Sequence, residues 1–165
     1  MLPLLDNALN GYNATLFAYG MTGAGKTHTL FGELNYDLMN EDNTGLILNT
    51  LVELFRKTHS PQYSQFVFDI KISYLEIYNE QVRDLLKGDN QNLMIVEDPE
   101  RGVFVADLTE VPVSSVEEVS QIIISGNSRR TMASTAANTF SSRSHAIIQV
   151  LIERRNRTMD IRDHV

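Results

Sequence analysis

The feature that most constrains this sequence is a glycine-rich segment at residues 20–27, Gly-Met-Thr-Gly-Ala-Gly-Lys-Thr. It follows the short apolar run 15–19, which predicts a strand, and it precedes a short predicted helix that ends near Gly32. A G-x-x-x-x-G-K-T segment between a strand and a helix is typical of a phosphate-binding loop. The segment therefore predicts a nucleoside triphosphate site, and the alternative is a glycine turn with an incidental lysine.

Each residue type in this loop suits a different part of a phosphate site. The glycines let successive backbone N–H groups turn toward an anion, and a helix beginning near Lys26 would add the positive end of its dipole. The Lys26 ammonium can reach the β- and γ-phosphates, and the Thr27 hydroxyl can bind Mg²⁺. The predicted phosphate-binding residues are Gly20, Met21, Thr22, Gly23, Ala24, Gly25, Lys26 and Thr27.

Composition narrows the class of protein. A chain of 165 residues with 42% hydrophobic residues suits one domain with a real core. The net charge of −7 argues against binding to nucleic acid, and the lack of cysteine argues against disulfides and thiolate metal sites. The sequence shows no apolar run of the roughly twenty residues that a membrane span needs and no signal peptide. We therefore expect an intracellular protein that is not in a membrane.

Apolar periodicity predicts strands that alternate with helices. Helices are expected at residues 3–10, at 46–55, and after the capping residues Ser114 and Ser115, where Gly126 would end the helix by sequence rules. A helical turn is expected within 79–86, and strands at 65–75, 93–96, 103–105 and 145–152. The last strand is apolar enough to predict burial on both faces. This order predicts a three-layer αβα fold of the α/β class.

A second group of polar residues lies at 138–145, Asn-Thr-Phe-Ser-Ser-Arg-Ser-His, just before the last predicted strand. Hydroxyl and amide groups can orient a water molecule and complete a Mg²⁺ shell, and an arginine can pair with a mobile acid. The segment therefore has the chemistry to sense a γ-phosphate. The alternative, which composition alone favours, is a polar loop before a strand.

The segment 138–145 resembles the kinesin switch I motif, N-x-x-S-S-R-S-H, at every fixed position. Residues 11–20 resemble the kinesin lead-in to the phosphate loop, and residues 73–86 resemble the family's S-x-x-E-I-Y-N-E…D-L-L segment. These blocks occur in the family's order, and the resemblance extends to about Glu153. The chain resembles a kinesin motor domain, with a weaker likeness to the kinesin-8 class in the lead-in and near residues 97–108.

This resemblance implies an ATP and Mg²⁺ site in a truncated motor core with the αβα P-loop fold. Residues 20–27 would hold the phosphates, and Thr27 and Ser142 would be the metal ligands. His28 would lie beside the adenine, and the alternative is that it caps a helix turn or faces solvent. The residues expected around the γ-phosphate and the attacking water are Asn138, Ser141 and Ser142. Arg143 would pair with a glutamate of switch II, and it completes the expected catalytic set.

The implied parent protein hydrolyses ATP to move along microtubules. It would be a cytoplasmic protein of the microtubule cytoskeleton and a homodimer through coiled-coil regions outside this sequence, with no nucleic-acid or membrane partner. Residues 93–113 correspond to a strand–loop–strand that contacts β-tubulin in the family. Here this segment carries one basic residue, Arg101, among several acids, so its acidity disfavours a contact with acidic tubulin.

The sequence matches only part of the family's domain. The whole chain, 1–165, is expected to be a partial motor domain from the phosphate loop to the switch I strand. The opening strand with its R-x-R-P segment and the D-x-x-G-x-E of switch II are not in it. We therefore expect weak Mg-nucleotide binding and little hydrolysis by the isolated chain. Asp69 could mimic a Mg²⁺-holding aspartate, but it lies in the middle of a predicted strand.

The sequence also allows two other classes of function. One is a non-catalytic remnant of a motor domain that acts as a regulatory binding module. The other is an unrelated P-loop GTPase or nucleotide kinase. The lack of an N-K-x-D guanine-reading segment and the match at 138–145 argue against the second class.

Overall fold

The computed structural model describes residues 2–33, 44–89, 92–100, 102–132 and 144–157. Its helices are α1 (Leu2–Leu9), α2 (Lys26–Phe31), α3 (Leu46–Thr58) and α4 (Val116–Met132), with a 3₁₀ turn at Pro61–Tyr63. Its strands are β1 (Phe66–Tyr78), β2 (Gln81–Asp84), β3 (Asn92–Leu93), β4 (Ile95–Asp98), β5 (Gly102–Val105), β6 (Val111–Val113) and β7 (Ser144–Asn156). This mixture of helices and strands belongs to the predicted α/β class. None of the described helices has the length and apolar character of a membrane span.

The residues form two compact units. The first unit contains residues up to Ile70, with Ser114–Ser120 and the part of the chain from Leu151. The second unit contains Lys71–Val113 and Gln121–Val150. The strands β1 and β7 and the helix α4 contribute residues to both units.

The long strand β1 is the main strand of a five-stranded sheet. The sheet has the order β3–β2–β1–β6, and β7 also pairs with β1, while β4 and β5 form a separate antiparallel pair. The alternation at residues 65–75 predicts this strand correctly, although β1 continues to Tyr78. Ile72 and Tyr74 are completely buried, so the middle of β1 belongs to the core.

The turn after β1 corrects the predicted helical turn at 79–86. Asn79 and Glu80 have φ angles of 48° and 64°, and they connect β1 directly to β2, with Tyr78 opposite Gln81. Two left-handed residues are the backbone geometry of a two-residue type I′ hairpin turn, and asparagine adopts it more readily than most residues. The local turn chemistry therefore forms a hairpin where the apolar pattern suggested a helix.

Helix α4 begins as the sequence predicts. Ser115 Oγ accepts a hydrogen bond from the Glu118 N–H at 3.3 Å, and the Glu118 carboxylate accepts one from the Ser114 N–H at 2.7 Å. This reciprocal pairing is of the capping-box kind, because it satisfies backbone donors at a helix start.

Gly126 does not end α4, contrary to the sequence rule. A Cβ atom at this position would lie 2.3 Å and 2.6 Å from two carbon atoms of the Tyr74 ring. The Tyr74 hydroxyl donates a hydrogen bond to Asn127 Oδ1 at 2.7 Å. The glycine is therefore explained by the close approach of a β1 tyrosine to the helix.

Two predictions about apolar segments are wrong. Residues 12–20 form no strand, because a strand needs a neighbour for its N–H and C=O groups and no described segment pairs with these residues. The last strand, β7, is present, but it is not buried on both faces. Ile147, Val150 and Leu151 expose 39%, 38% and 43% of their surfaces, so the described residues cover these side chains only in part.

Arginines of β7 hold the first unit together. The Arg154 guanidinium lies 4.5 Å from the centre of the Phe66 ring, and its Nη1 donates to the Leu9 carbonyl oxygen at 2.9 Å. Arg155 Nη2 lies 2.5 Å from Asp69 Oδ2. Asp69 is therefore engaged in an ion pair within the strand pairing, and this geometry does not favour a role as a Mg²⁺-holding residue.

Candidate nucleotide-binding site

The glycine-rich loop lies between the unpaired residues 12–20 and helix α2, and residues 20–25 are all exposed. Gly23 and Gly25 have φ angles of 83° and 82°. No atom lies within 4 Å of a Cβ built at either position. Glycine is therefore required here for the left-handed backbone conformation and not for space.

Most of the loop's backbone donors are available to a ligand. Among the N–H groups of residues 21–27, only that of Ala24 donates to a backbone carbonyl within the described part of the chain, to Met21 at 3.1 Å. An exposed glycine-containing turn with several unused N–H groups is the arrangement that binds anions. The loop thus presents several N–H donors from which an anion could accept hydrogen bonds.

Lys26 adds a positive charge across this loop. Its Nζ donates hydrogen bonds to the carbonyl oxygens of Gly20 and Met21, each at 2.8 Å. An ammonium group has three donors, so these two bonds leave one proton for an anion. The two bonds also connect the first residues of the loop to its end, which holds the charge beside the unused N–H groups.

Helix α2 begins at Lys26 and ends before Gly32, as predicted. It has only six residues, so the loop amides and Lys26 are the principal sources of positive potential. Thr27 and His28 both lie on α2 and are exposed. The Thr27 hydroxyl is therefore placed at the loop's end, where a phosphate-bound cation would be accessible to it.

The expected switch I residues Asn138, Ser141, Ser142 and Arg143 lie outside the described residues. The structure describes the next residue, Ser144, which is buried at the start of β7 and donates to Glu76 Oε1 at 2.5 Å. The Arg130 guanidinium, near the end of α4, also contacts Glu76 Oε1, at 3.3 Å. Sequence reasoning did not assign Glu76 or Arg130.

One sequence signal could have identified Glu76. It continues the alternation of Ile70, Ile72 and Tyr74, so it occupies the same face of β1 as three buried apolar side chains. A carboxylate on a buried face requires a hydrogen-bonding or charged partner. Its partners come from distant parts of the sequence, and they carry no comparable local signal.

Known proteins are similar to this chain over nearly its whole length. The family model of the kinesin motor domain matches residues 1–165. The chain belongs to the kinesin motor domain family. It is 46% identical over 165 residues to kinesin-like protein 5 of Schizosaccharomyces pombe, covering 98% of this chain. It is 44% identical over 156 residues to chromosome-associated kinesin KIF4 of Xenopus laevis, covering 93% of this chain.

A solved structure of a fast kinesin gives a TM-score of 0.84 at 39% identity and covers 96% of this chain. The kinesin-family chain spans 18% and 13% of the length of the two curated relatives. It spans 44% of the solved kinesin chain. Both the sequence and the structural likeness therefore extend over nearly all of this chain and over part of each relative.

Proposed function

We propose that residues 20–27 bind the phosphates of Mg-ATP, and that the parent protein couples ATP hydrolysis to movement along microtubules. The observation that carries this proposal is the open glycine loop with unused N–H groups and Lys26 Nζ held across it. Membership of the kinesin motor domain family supports ATP as the nucleotide. His28, exposed on α2, is proposed to lie beside the adenine.

The residues present fit a magnesium ion that arrives with the nucleotide. Mg²⁺ keeps several waters and is usually held by substrate phosphates with few protein ligands, so an exposed Thr27 hydroxyl beside a phosphate loop is a suitable donor. When bound, Mg²⁺ would neutralise charge on the β- and γ-phosphates. In this arrangement Lys26 and the loop amides orient the phosphates, and Thr27 with Ser142 would hold the cation.

Switch I is proposed to act on the γ-phosphate. The match to N-x-x-S-S-R-S-H supports Asn138, Ser141 and Ser142 as the groups that orient water and phosphate. The same match supports Arg143 as the partner of an acid in switch II. The next residue, Ser144, is buried at the start of β7.

Microtubules are the proposed partner of the parent protein, which would act on the cytoplasmic microtubule cytoskeleton as a homodimer joined outside this sequence. The hairpin of β4 and β5 exposes Met94, Ile95 and Val103. Three acids, Glu97, Asp98 and Glu100, lie within or beside it. Because like charges weaken association, we assign the main tubulin contact to parts of the parent protein other than this hairpin.

Nucleotide binding can be tested with a fluorescent ATP analogue titrated into the purified chain in the presence of Mg²⁺. We expect Lys26→Ala to weaken binding at least about tenfold, because hydrogen bonds to charged groups contribute about 1.5–3 kcal/mol each. Lys87→Ala is the control, since Lys87 is an exposed lysine that lies outside the loop. Its affinity should equal that of the wild type.

Equal and weak binding by the wild type and Lys26→Ala would contradict the proposal. That result would favour the second candidate, a motor-domain remnant that acts as a regulatory binding module. In the parent protein, microtubule-stimulated phosphate release should be lost with Lys26→Ala and retained with Lys87→Ala. This second assay separates nucleotide binding by the chain from motor activity of the parent.

A further inference from the structure

Methionine is the residue of this sequence that peroxide oxidises most readily. The sequence has no cysteine, and it has six methionines. In the absence of a thiolate, the methionine thioether is the main sulfur group that a peroxide can attack, and the product is methionine sulfoxide. The positions of the exposed methionines therefore decide what mild oxidation does to this chain.

Two methionines have exposed side chains in the described part of the chain. Met21, in the glycine-rich loop, is 80% exposed, and Met94, next to β4, is 72% exposed. The two side chains are thus almost equally accessible to a reagent in water. Met21 belongs to the first compact unit and Met94 to the second, so Met94 offers a control outside the loop.

Met21 lies directly beside the positive charge of the loop. Its carbonyl oxygen accepts a hydrogen bond from Lys26 Nζ at 2.8 Å and another from the Ala24 N–H at 3.1 Å. Standard bond lengths then place the Met21 Cα within about 5.5 Å of the Lys26 ammonium group. A methionine side chain is unbranched and has three rotatable bonds, so its sulfur lies within reach of that ammonium group.

Oxidation changes what this side chain offers to Lys26. A thioether sulfur is a weak hydrogen-bond acceptor, whereas a sulfoxide is polar and carries an oxygen atom that accepts hydrogen bonds. Lys26 already donates two of its three protons to the carbonyl oxygens of Gly20 and Met21. The sulfoxide oxygen would therefore compete with a phosphate oxygen for the third proton.

We infer that Met21 is an oxidation site, and that its sulfoxide weakens the binding of a nucleotide to the loop. This inference rests on the proposed function, because the phosphates are the groups that lose the Lys26 proton. In the reaction, the Met21 sulfur attacks one oxygen of hydrogen peroxide, an S–O bond forms and the O–O bond breaks. The sulfur loses two electrons, which the peroxide gains, and the second oxygen leaves as water with both protons of the peroxide.

The test compares the wild type with Met21→Leu and Met94→Leu, since leucine has a similar volume and no sulfur. Each chain is titrated with a fluorescent ATP analogue and Mg²⁺ before and after hydrogen peroxide, so the untreated sample of each chain is its own reference. Mass spectrometry of peptides locates the sulfoxides. We expect peroxide to weaken binding about three- to tenfold in the wild type and in Met94→Leu, as for one lost hydrogen bond. In Met21→Leu the same treatment should change the affinity less than about twofold.

Reduction of the oxidised wild type should restore its affinity. Methionine sulfoxide reductases return the sulfoxide to the thioether, while a dithiol becomes a disulfide and the sulfoxide oxygen leaves as water. Equal weakening in all three chains would overturn the inference, because the effect would then come from another residue. The absence of a Met21 sulfoxide, or unchanged binding by a wild type that carries it, would overturn the inference as well.

The reactivity of Lys26 supplies a measurement that needs no nucleotide. An ammonium group that donates to a sulfoxide oxygen should react more slowly with acetic anhydride. The acetylation of Lys26 is measured relative to that of the exposed Lys87 in the same sample. This ratio should fall at least about twofold on oxidation of the wild type, as for one hydrogen bond gained, and it should not fall in Met21→Leu. If the untreated chain binds no nucleotide, the proposed function fails, while an unchanged ratio would still show that the sulfoxide does not contact Lys26.

Discussion

Strand β1 and residues 12–20 are both rich in apolar and aromatic residues, but their structures differ. Tyr74 of β1 is completely buried, whereas Tyr19 is 94% exposed. β1 pairs with β2, β6 and β7, while residues 12–20 pair with no segment in the described part of the chain. An apolar sequence therefore favours strand structure. The strand forms only where a neighbouring segment provides partners for its backbone N–H and C=O groups.

The largest expected difference concerns one apolar side chain in each region. Ile72→Ala should lower the free energy of unfolding by about 2–5 kcal/mol, because it leaves a cavity in the core. Phe17→Ala should change it by less than about 0.5 kcal/mol, since Phe17 is 76% exposed. Chemical denaturation followed by circular dichroism measures both values. Similar losses would show that residues 12–20 are packed in solution.

A smaller effect is expected at the contact between β1 and α4. Gly126→Ala should lower the free energy of unfolding by about 1–3 kcal/mol, because the added methyl group would overlap the Tyr74 ring. This loss would occur even though alanine is the better helix former by about 1 kcal/mol. The exposed neighbour Ser125→Ala is the control and should not be destabilising. A stabilising effect of Gly126→Ala would contradict the close packing of Tyr74.

The smallest expected effect on stability comes from removing one hydroxyl group, that of Tyr74 or that of Tyr19. Tyr74→Phe removes the hydrogen bond to Asn127 and should cost about 1 kcal/mol. Tyr19→Phe should have no measurable effect, because the Tyr19 hydroxyl is exposed to water. The difference between the two thermal unfolding midpoints measures this effect. Equal midpoints would mean that the bond to Asn127 adds nothing beyond what water provides.

Features that depend on neighbouring residues were predictable from the sequence. The phosphate loop is contained in eight consecutive residues, and the left-handed Gly23 and Gly25 follow from its glycine pattern. The cap of α4 depends on Ser115 and Glu118, which are three residues apart. The alternation of β1 likewise reflects which side chains share one face of a strand.

Features that depend on distant residues were not predictable in the same way. The role of Gly126 depends on Tyr74, and the burial of Glu76 depends on Arg130 and Ser144. The exposed apolar residues of β7 are of the same types as those found in a strand that is buried on both faces. The hydrophobicity of a segment indicates which of its side chains can be buried, but it does not indicate which other segment packs against them.

The Asn79–Glu80 turn has a consequence for tolerated changes in chain length. Surface turns usually accept insertions, but a two-residue connection leaves no spare backbone between β1 and β2. Adding one residue there would shift one strand relative to the other, and a one-residue shift exchanges the two faces of a strand. Ile77 would then replace Glu76 beside Arg130, and the carboxylate would move to the opposite face. We therefore expect this exposed turn to vary in sequence far more readily than in length.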